Sequence, residues 1–425
     1  MRISHIAWNL GGLTLPLCVA ALTVPSLIAK LGHERFGLLA LAWGLIGYAG
    51  ALDLGLGRAL TQLVASLRGE KKLVSIPDTL ATASRITFFT GLAAGALIVL
   101  FAVLGGASMI RTQNTPESEI RLAIFLLAVA LPAQAMCSTY KGLNEAFMNF
   151  RGVSILRAGL GIINFAGPYV VSMYTTHLAW LVSTLVLSRL VSLLIYKRLA
   201  VSCLRVELET QQTARYSAPI AKKLLSFGGW VTVSSIISPI MVQVDRFFIA
   251  TMISAGAVSV YVLPYELVTQ SLVLVGAISS VMFPNLSRLM HEDPGNWRKY
   301  FRFWLVRVAI LMSTVCTAIS VLLPWVMKIW VGDLLIQDSL VVGRILCAGV
   351  LFSSLGAMYY AVIHAHGRAD ITAKFHIIQF PIFIYLLYLF ISEWGIAGAA
   401  LAWTARSAVD TIALMIYVTY KLEPR

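Results

Sequence analysis

The residues of this 425-residue chain with the most chemistry to explain are the ionisable side chains set inside long apolar stretches. Asp53 and Arg58 bracket the run Asp53-Leu54-Gly55-Leu56-Gly57-Arg58, Asp245 and Arg246 adjoin in a second stretch, and Glu266 stands in the next. A charge in hydrocarbon is costly, so it faces a bundle interior or an aqueous cavity, or it pairs. Two readings of Asp53 stay open: a cavity-lining, proton-sensitive carboxylate, or a structural partner for a neighbouring Arg. For Asp245, Arg246 and Glu266 the alternative to a functional site is a structural ion pair. Arg406 and Asp410 are spaced i, i+4 and can neutralise one another on one helix, and Lys141 and Glu145 share that spacing. Tyr265 and Tyr359, with Trp43, Tyr48 and Tyr360, are aromatics that either stack on a sugar or serve packing and the interfacial belt. No HExxH, GxSxG, P-loop or Cys/His metal spacing is present, so the pattern points away from an enzyme, a cofactor or a metal.

The elements that must position these residues are membrane helices. The chain is 59% hydrophobic and 12% charged, where globular domains carry about 25% charge. Apolar stretches near the roughly 20 residues a spanning helix needs recur throughout. Twelve are expected: 5–29, 36–64, 84–108, 119–146, 153–174, 178–197, 224–250, 257–282, 304–328, 339–364, 373–392 and 395–419. A β-barrel is excluded because Gly91–Leu104 is apolar on every face, without the alternation barrel strands need. The first span is longer than the apolar region of a cleavable signal and is expected to be retained. Five scattered cysteines read as reduced apolar fillers. Prolines inside spans, notably Pro16, Pro25 and Pro239, suggest bent helices, either gate hinges or packing kinks.

The net charge of +14 invites a nucleic-acid reading, which the positions of the basic residues answer. With the N-terminus inside, Lys30, Arg35, Arg111, Arg121 and Lys328 lie outside, while Arg58, Arg189, Arg246, Arg344 and Arg406 lie within spans. The rest of the 33 Lys and Arg fall in or beside cytoplasmic segments, which places both termini in the cytoplasm by the positive-inside rule. No nucleic-acid partner is expected.

Sliding the chain on itself by 217 positions matches Gly11-Gly12 with Gly228-Gly229, Pro77 with Pro294, and six basic pairs where chance gives about one. The pairs are Lys71/Arg288, Arg85/Arg302, Arg111/Lys328, Arg151/Arg368, Arg157/Lys374 and Arg189/Arg406. Six spans per half makes the halves parallel repeats. The expected division is 1–205, a cytoplasmic linker at 206–221, and 222–425. Asp53, Arg58, Asp245, Arg246 and Glu266 have uncharged partners at this offset, so a shared scaffold does not explain them.

Two stretches resemble the polysaccharide-transporter (O-antigen and exopolysaccharide flippase) family of the multidrug/oligosaccharidyl-lipid/polysaccharide exporter superfamily. One is Leu31-Gly32-His33-Glu34-Arg35-Phe36-Gly37 followed by Ala51-Leu52-Asp53-Leu54-Gly55-Leu56-Gly57; the other runs from Gly367-Arg368-Ala369-Asp370 through Gly395–Trp403 to Arg406. Val244–Ala250 with Val260-Tyr261 resembles the start of that family's second lobe. The resemblance implies an all-α membrane protein with two six-helix lobes around a central cavity opening alternately to each side of the bacterial inner membrane. It implies an undecaprenyl-pyrophosphate-linked oligosaccharide as substrate, with Arg58 and Arg246 meeting the pyrophosphate and polymerase machinery as a partner. Energy would come from an ion gradient or from removal of product, with Asp53, Asp245 or Glu266 as coupling or gating groups. A cation-coupled multidrug exporter of the same superfamily and a membrane-embedded polymerase or glycosyltransferase are the competing readings. In-span basic residues match or exceed the acids, which favours an anionic substrate, and short outside loops disfavour the polymerase.

Overall fold

The computed structural model describes residues 3–48, 56–69, 72–207, 215–292, 296–366 and 368–422, with side chains such as those of 1–14, Arg58 and 226–240 outside the description. No strand occurs among the described residues. The helices are α1 (Ile3–Tyr48), α2 (Leu56–Gly69), α3 (Ile76–Phe101), α4 (Glu117–Ala146), α5 (Phe150–Val171) and α6 (Leu178–Glu207), then α7 (Ala218–Met252), α8 (Ala255–Thr269), α9 (Leu272–Glu292), α10 (Trp297–Val331), α11 (Asp338–Ala365) and α12 (Ala369–Tyr417). Eight stretches among the described residues are long and apolar enough to cross a membrane. The surface is correspondingly oily: Leu22, Leu97, Leu104, Val129, Leu187, Ile310 and Ile329 are all exposed, the exterior of a multi-pass membrane protein.

Two of these helices change direction at glycines. α12 has 49 residues, about 74 Å if straight, more than twice a hydrocarbon core. It breaks at Gly395, whose φ of 56° suits a residue without Cβ. Its two arms then lie side by side, since Gln379 Nε2 donates to Asp410 Oδ1 at 3.0 Å and Arg406 sits 5.3 Å over the Phe383 ring. α1 breaks in the same way at Gly32 (φ 70°). Pro16 on its first arm and Trp43 on its second both reach residues 161–165 of α5. Pro16, Pro25, Pro132, Pro168, Pro264, Pro324 and Pro381 stay inside continuous helices, and Pro239 lies among the undescribed side chains. The apolar run read as one span at 257–282 is interrupted at Gln270-Ser271, between α8 and α9.

The chain forms two compact units, Met1–Ile240 and Met241–Arg425. In the first, α4 packs on α1, α2, α3, α5 and α6. Its buried face is built from small residues, Ala123, Ala128, Ala130, Ala133, Ala135 and Gly142, which let neighbouring backbones approach. At Gly142 a Cβ would collide with the Gly57 carbonyl. In the second unit α11 is central, touching α8, α9, α10 and α12. Its glycines again meet bulk: Gly343 faces Leu323, Gly349 faces Trp403 and Gly356 faces Thr411. The start of α7 belongs to the first unit, where Leu224 joins the core with Leu60, Leu80, Leu143 and Tyr196. Just before it, the Arg215 amide donates to Asp78 and the Ser217 amide to Thr82, both on α3.

The turn after Gly32 latches the ends of the first unit's helices together. Glu34 accepts from the backbone amides of Gln113 (2.7 Å), Asn114 (3.1 Å) and Thr115 (2.8 Å) and from the Thr115 hydroxyl (2.6 Å). Next to it, Arg35 pairs at 3.3 Å with Glu119, which is 4% exposed and also accepts from the Leu178 amide. Burial pushes the Glu34 carboxyl up, but the bonds from Thr115, Gln113 and Asn114 together outweigh it and hold the group below its ordinary value. A depressed carboxylate stabilises the fold above its unfolded pKa, about 4.3, and the contribution is lost as pH falls through the lower folded value. Amides 113–115 are therefore expected to stay protected from hydrogen exchange down to about pH 4 and to open below it. Glu34→Gln should raise their exchange roughly tenfold at neutral pH and remove that acid limb.

Candidate functional site

The buried charges gather where α7 and α8 meet. Their connection is short because Ser254 caps α8, accepting from the Ala257 amide at 3.1 Å, so the helices lie antiparallel and Asp245 and Arg246 come level with Tyr261 and Glu266. Asp245 is fully buried. One of its oxygens accepts from the Arg246 amide at 2.8 Å and the other from the Tyr261 hydroxyl at 2.6 Å. Arg246 donates to Glu266 at 2.8 Å, with the Arg side chain 5% and the Glu 48% exposed.

Aromatic rings hold the guanidinium in place. Arg246 Cζ lies 5.1 Å over the Tyr265 ring, which stacks on Tyr261 at 5.6 Å and meets Trp403 of α12 edge-on at 5.8 Å. Cation–π contact and two flanking carboxylates fix the cation more firmly than either alone. Arg246 Nε is buried without a partner, so the guanidinium keeps one donor in reserve. Among the described residues no group of His, Cys, Asp and Glu is placed to hold a metal.

Of the residues singled out in the sequence, Asp245, Arg246, Tyr265 and Glu266 come together in this one cluster. Tyr359 does not join them; it packs against Phe301 of α10 at 5.4 Å. Asp53 lies outside the described residues, and so does the Arg58 side chain, although Arg58 falls in α2. Lys141 and Glu145 pair at 3.6 Å as their spacing suggests. Arg406 and Asp410 form no such pair: Asp410 is held by Gln379 of the other arm, and Arg406 turns to Phe383. Tyr261 and Trp403 complete the cluster and were not singled out as candidates. Tyr261 was detectable as the residue that hairpin register sets against Asp245; Trp403 carries no such local signal.

Removing one member of a buried pair strands the other's charge, which costs about 3–5 kcal/mol. Arg246→Ala is expected to lower the melting temperature of the detergent-solubilised protein sharply, because Asp245 then loses the stronger of the two guanidinium fields that act on it. Tyr261→Phe leaves an Asp245 oxygen unsatisfied and should cost about 1–3 kcal/mol. Glu266→Gln, at a half-exposed partner, should cost about 1 kcal/mol or less. Equal losses in all three would contradict this order.

Residues 5–290 match the profile of the polysaccharide biosynthesis protein family. The chain is 27% identical over 97% of its length to a Shigella flexneri protein named "Putative O-antigen transporter", covering 96% of that protein. It is 25% identical over 190 residues, 44% of this chain and 38% of the other, to the lipopolysaccharide biosynthesis protein WzxC of Escherichia coli K12. Its fold resembles that of a multidrug-resistance MATE-family transporter of the MOP superfamily in its inward-facing conformation, with a TM-score of 0.78 at 12% identity over 96% of this chain and 97% of the other. Both units are thus accounted for by one transporter fold, and the chain belongs to the polysaccharide biosynthesis protein family.

Proposed function

We propose that this protein is a flippase that carries undecaprenyl-pyrophosphate-linked oligosaccharide from the cytoplasmic to the periplasmic leaflet of a bacterial inner membrane. The observation that carries the reading is the end-to-end similarity to the Shigella flexneri protein named as an O-antigen transporter. In this reading twelve spanning helices form two six-helix lobes, N-lobe 1–205 and C-lobe 222–425, with both termini cytoplasmic and a central cavity that opens alternately to each side. The coincidence of α4 and α11 at the offset of 217, each central in its own unit, supports the duplication.

A sugar chain cannot cross hydrocarbon unaided, whereas its prenyl tail can stay in the bilayer beside a lateral opening. The protein therefore has to shield only the head. Arg246 is already compensated by two carboxylates, so it meets a pyrophosphate only by exchanging Glu266, the half-exposed partner, for a phosphate oxygen. Glu266 is then a gate, closing the guanidinium when no anionic head is present. Arg58, Tyr265 and Tyr359 are the further substrate contacts of this reading, and Asp53 and Asp245 its coupling groups. The polysaccharide polymerase would take the product on the outer face.

Deleting the gene should strand intact lipid-linked oligosaccharide on the cytoplasmic leaflet, measured by leaflet-selective labelling. Unchanged lipid pools with altered efflux of cationic dyes would favour the multidrug reading instead, and single units left on the outer face would favour a polymerase. Complementation with Arg246→Lys, which keeps the charge and loses the planar fork, should cut flipping roughly tenfold at normal membrane abundance.

A further inference from the structure

The second unit holds another polar centre between the two arms of α12. His376 of the first arm has its Nδ1 buried without a partner. One turn on, Gln379 is 8% exposed; it donates to Asp410 and leaves its own Oε1 buried and unbonded. Arg406 lies one turn before Asp410, with its Nε also buried and unpartnered. The charged groups whose fields reach His376 are Asp410 and Arg406 on the second arm. Arg406 in turn acts on Asp245 of α7, and His376 acts on His364 of α11. Lys374, on His376's own arm, is held by Asp370 at 3.3 Å.

Along this column Asp245 and Asp410 balance Arg246 and Arg406, and Glu266 is half-exposed, so a proton on His376 would be held by the field of Asp410 rather than by a net interior charge. By the criterion of the repeat these groups are also one-sided: His376, Gln379 and Asp410 stand opposite Gly159, Ile162 and Leu193 at the offset of 217. A scaffold common to both halves does not need them.

The column also has an entrance. A cavity of about 570 Å³ between α9 and α11 is lined by Ser279, Ser353, Tyr360 and His364, together with apolar residues. The Ser279 hydroxyl is buried without a partner, and His364 stacks on Tyr360 at 4.0 Å. His364 Nε2 shares a hydrogen bond of 3.2 Å with the Thr372 hydroxyl, one helical turn before His376. Hydroxyl and imidazole groups at these spacings, with water in the cavity, can pass a proton inward.

We propose that His376, with Asp410 and Gln379 beside it, is a proton-binding site in the interior of the second unit, filled from the α9–α11 cavity through His364 and Thr372. The imidazole lone pair accepts one proton from the aqueous phase and becomes imidazolium; no other bond changes. The resulting cation sits in the field of Asp410, while Gln379 Oε1 supplies an acceptor that has no other donor. The added positive charge acts on Arg406, whose field reaches Asp245, and so links protonation to the charges around Arg246. The site itself does not depend on the identity of the cargo.

The test uses full-length protein in lipid nanodiscs with ¹⁵N-labelled histidine, followed by NMR between pH 4 and 10. One resonance, absent in His376→Gln, should titrate as a single site. Asp410→Asn, which preserves shape and the Gln379 contact, should weaken its proton affinity roughly tenfold, a downward shift of about one pH unit. His364→Gln should slow proton exchange at His376 and move its midpoint less than Asp410→Asn does. A His376 that stays untitrated across the range, or an Asp410→Asn midpoint that is unmoved or raised, would overturn the site. Melting temperature checks that the Asp410→Asn protein is folded, so the shift is read on native material. Loss of flipping with intact titration would count against the proposed cargo, whereas a silent His376 in a flipping-competent protein counts against the proton site alone.

Discussion

Lipid as solvent is the constraint on which the rest of this structure depends. Between two helices in hydrocarbon there is no hydrophobic drive, so association has to come from close van der Waals contact and from polar groups with nowhere else to go. The central helices meet the first requirement with small residues: α4 through Ala128, Ala135 and Gly142, α11 through Gly343, Gly349 and Gly356. They meet the second with hydroxyls that bond across the contact, Thr61 to the Gly142 carbonyl, Thr404 to Ile345 and Thr411 to Phe352. Leu22 and Ile329 can remain exposed because lipid accepts them; Asp245 cannot, and every polar partner it has is built from this chain.

The same constraint explains which parts of the fold were legible in the residues. Helical spans announce themselves because twenty apolar residues in a row have no other use. The α7–α8 hairpin was legible too, since a six-residue connection forces its flanking helices together and so brings Asp245, Arg246 and Glu266 to one place. Hydropathy is blind to changes of direction. Ala255–Ser279 remains one stretch long and apolar enough to cross a membrane although the helix is interrupted at Gln270-Ser271, and the reversals at Gly32 and Gly395 turn on a positive φ that a run of apolar residues does not reveal. The prolines lie inside helices that run on past them, where a neighbouring helix can satisfy the carbonyl each one frees.

Partnerships were less legible than positions. Arg406 and Asp410 have ideal spacing for an i, i+4 pair, and that rule assumes an isolated helix. Here the second arm of α12 lies against the first, and Gln379 offers Asp410 a donor at 3.0 Å while Phe383 offers Arg406 an aromatic face. Trp403 reaches Tyr265 from the far end of the sequence, and no local pattern encodes that contact. His376 was overlooked for a related reason: a single histidine in an apolar run looks like a satisfied core residue until its neighbours across the helix pair are known.

Comparing the two halves position by position sharpens what these charges are for. Opposite Asp245, Arg246, Tyr261 and Glu266 at the offset of 217 stand Ile28, Ala29, Gly44 and Ala49, of which Ile28 is fully buried. At these positions the first half of the sequence carries apolar residues alone. A buried ion pair is at best weakly stabilising against an apolar replacement, because desolvation offsets most of its attraction. Where one half carries no charge at the matching positions, the other half's charge is not explained by a scaffold common to both. The first unit has its own one-sided charges, Glu34, Arg35 and Glu119, opposite Thr251, Met252 and Ile336, and they bind the helix-end turns rather than the helix interior. Among the described residues these one-sided charges make ionic contacts at helix-end turns in one unit and deep between the helices in the other. The second arrangement puts, among the described residues, acid–base pairs where their protonation or exchange alters the interior of a membrane unit.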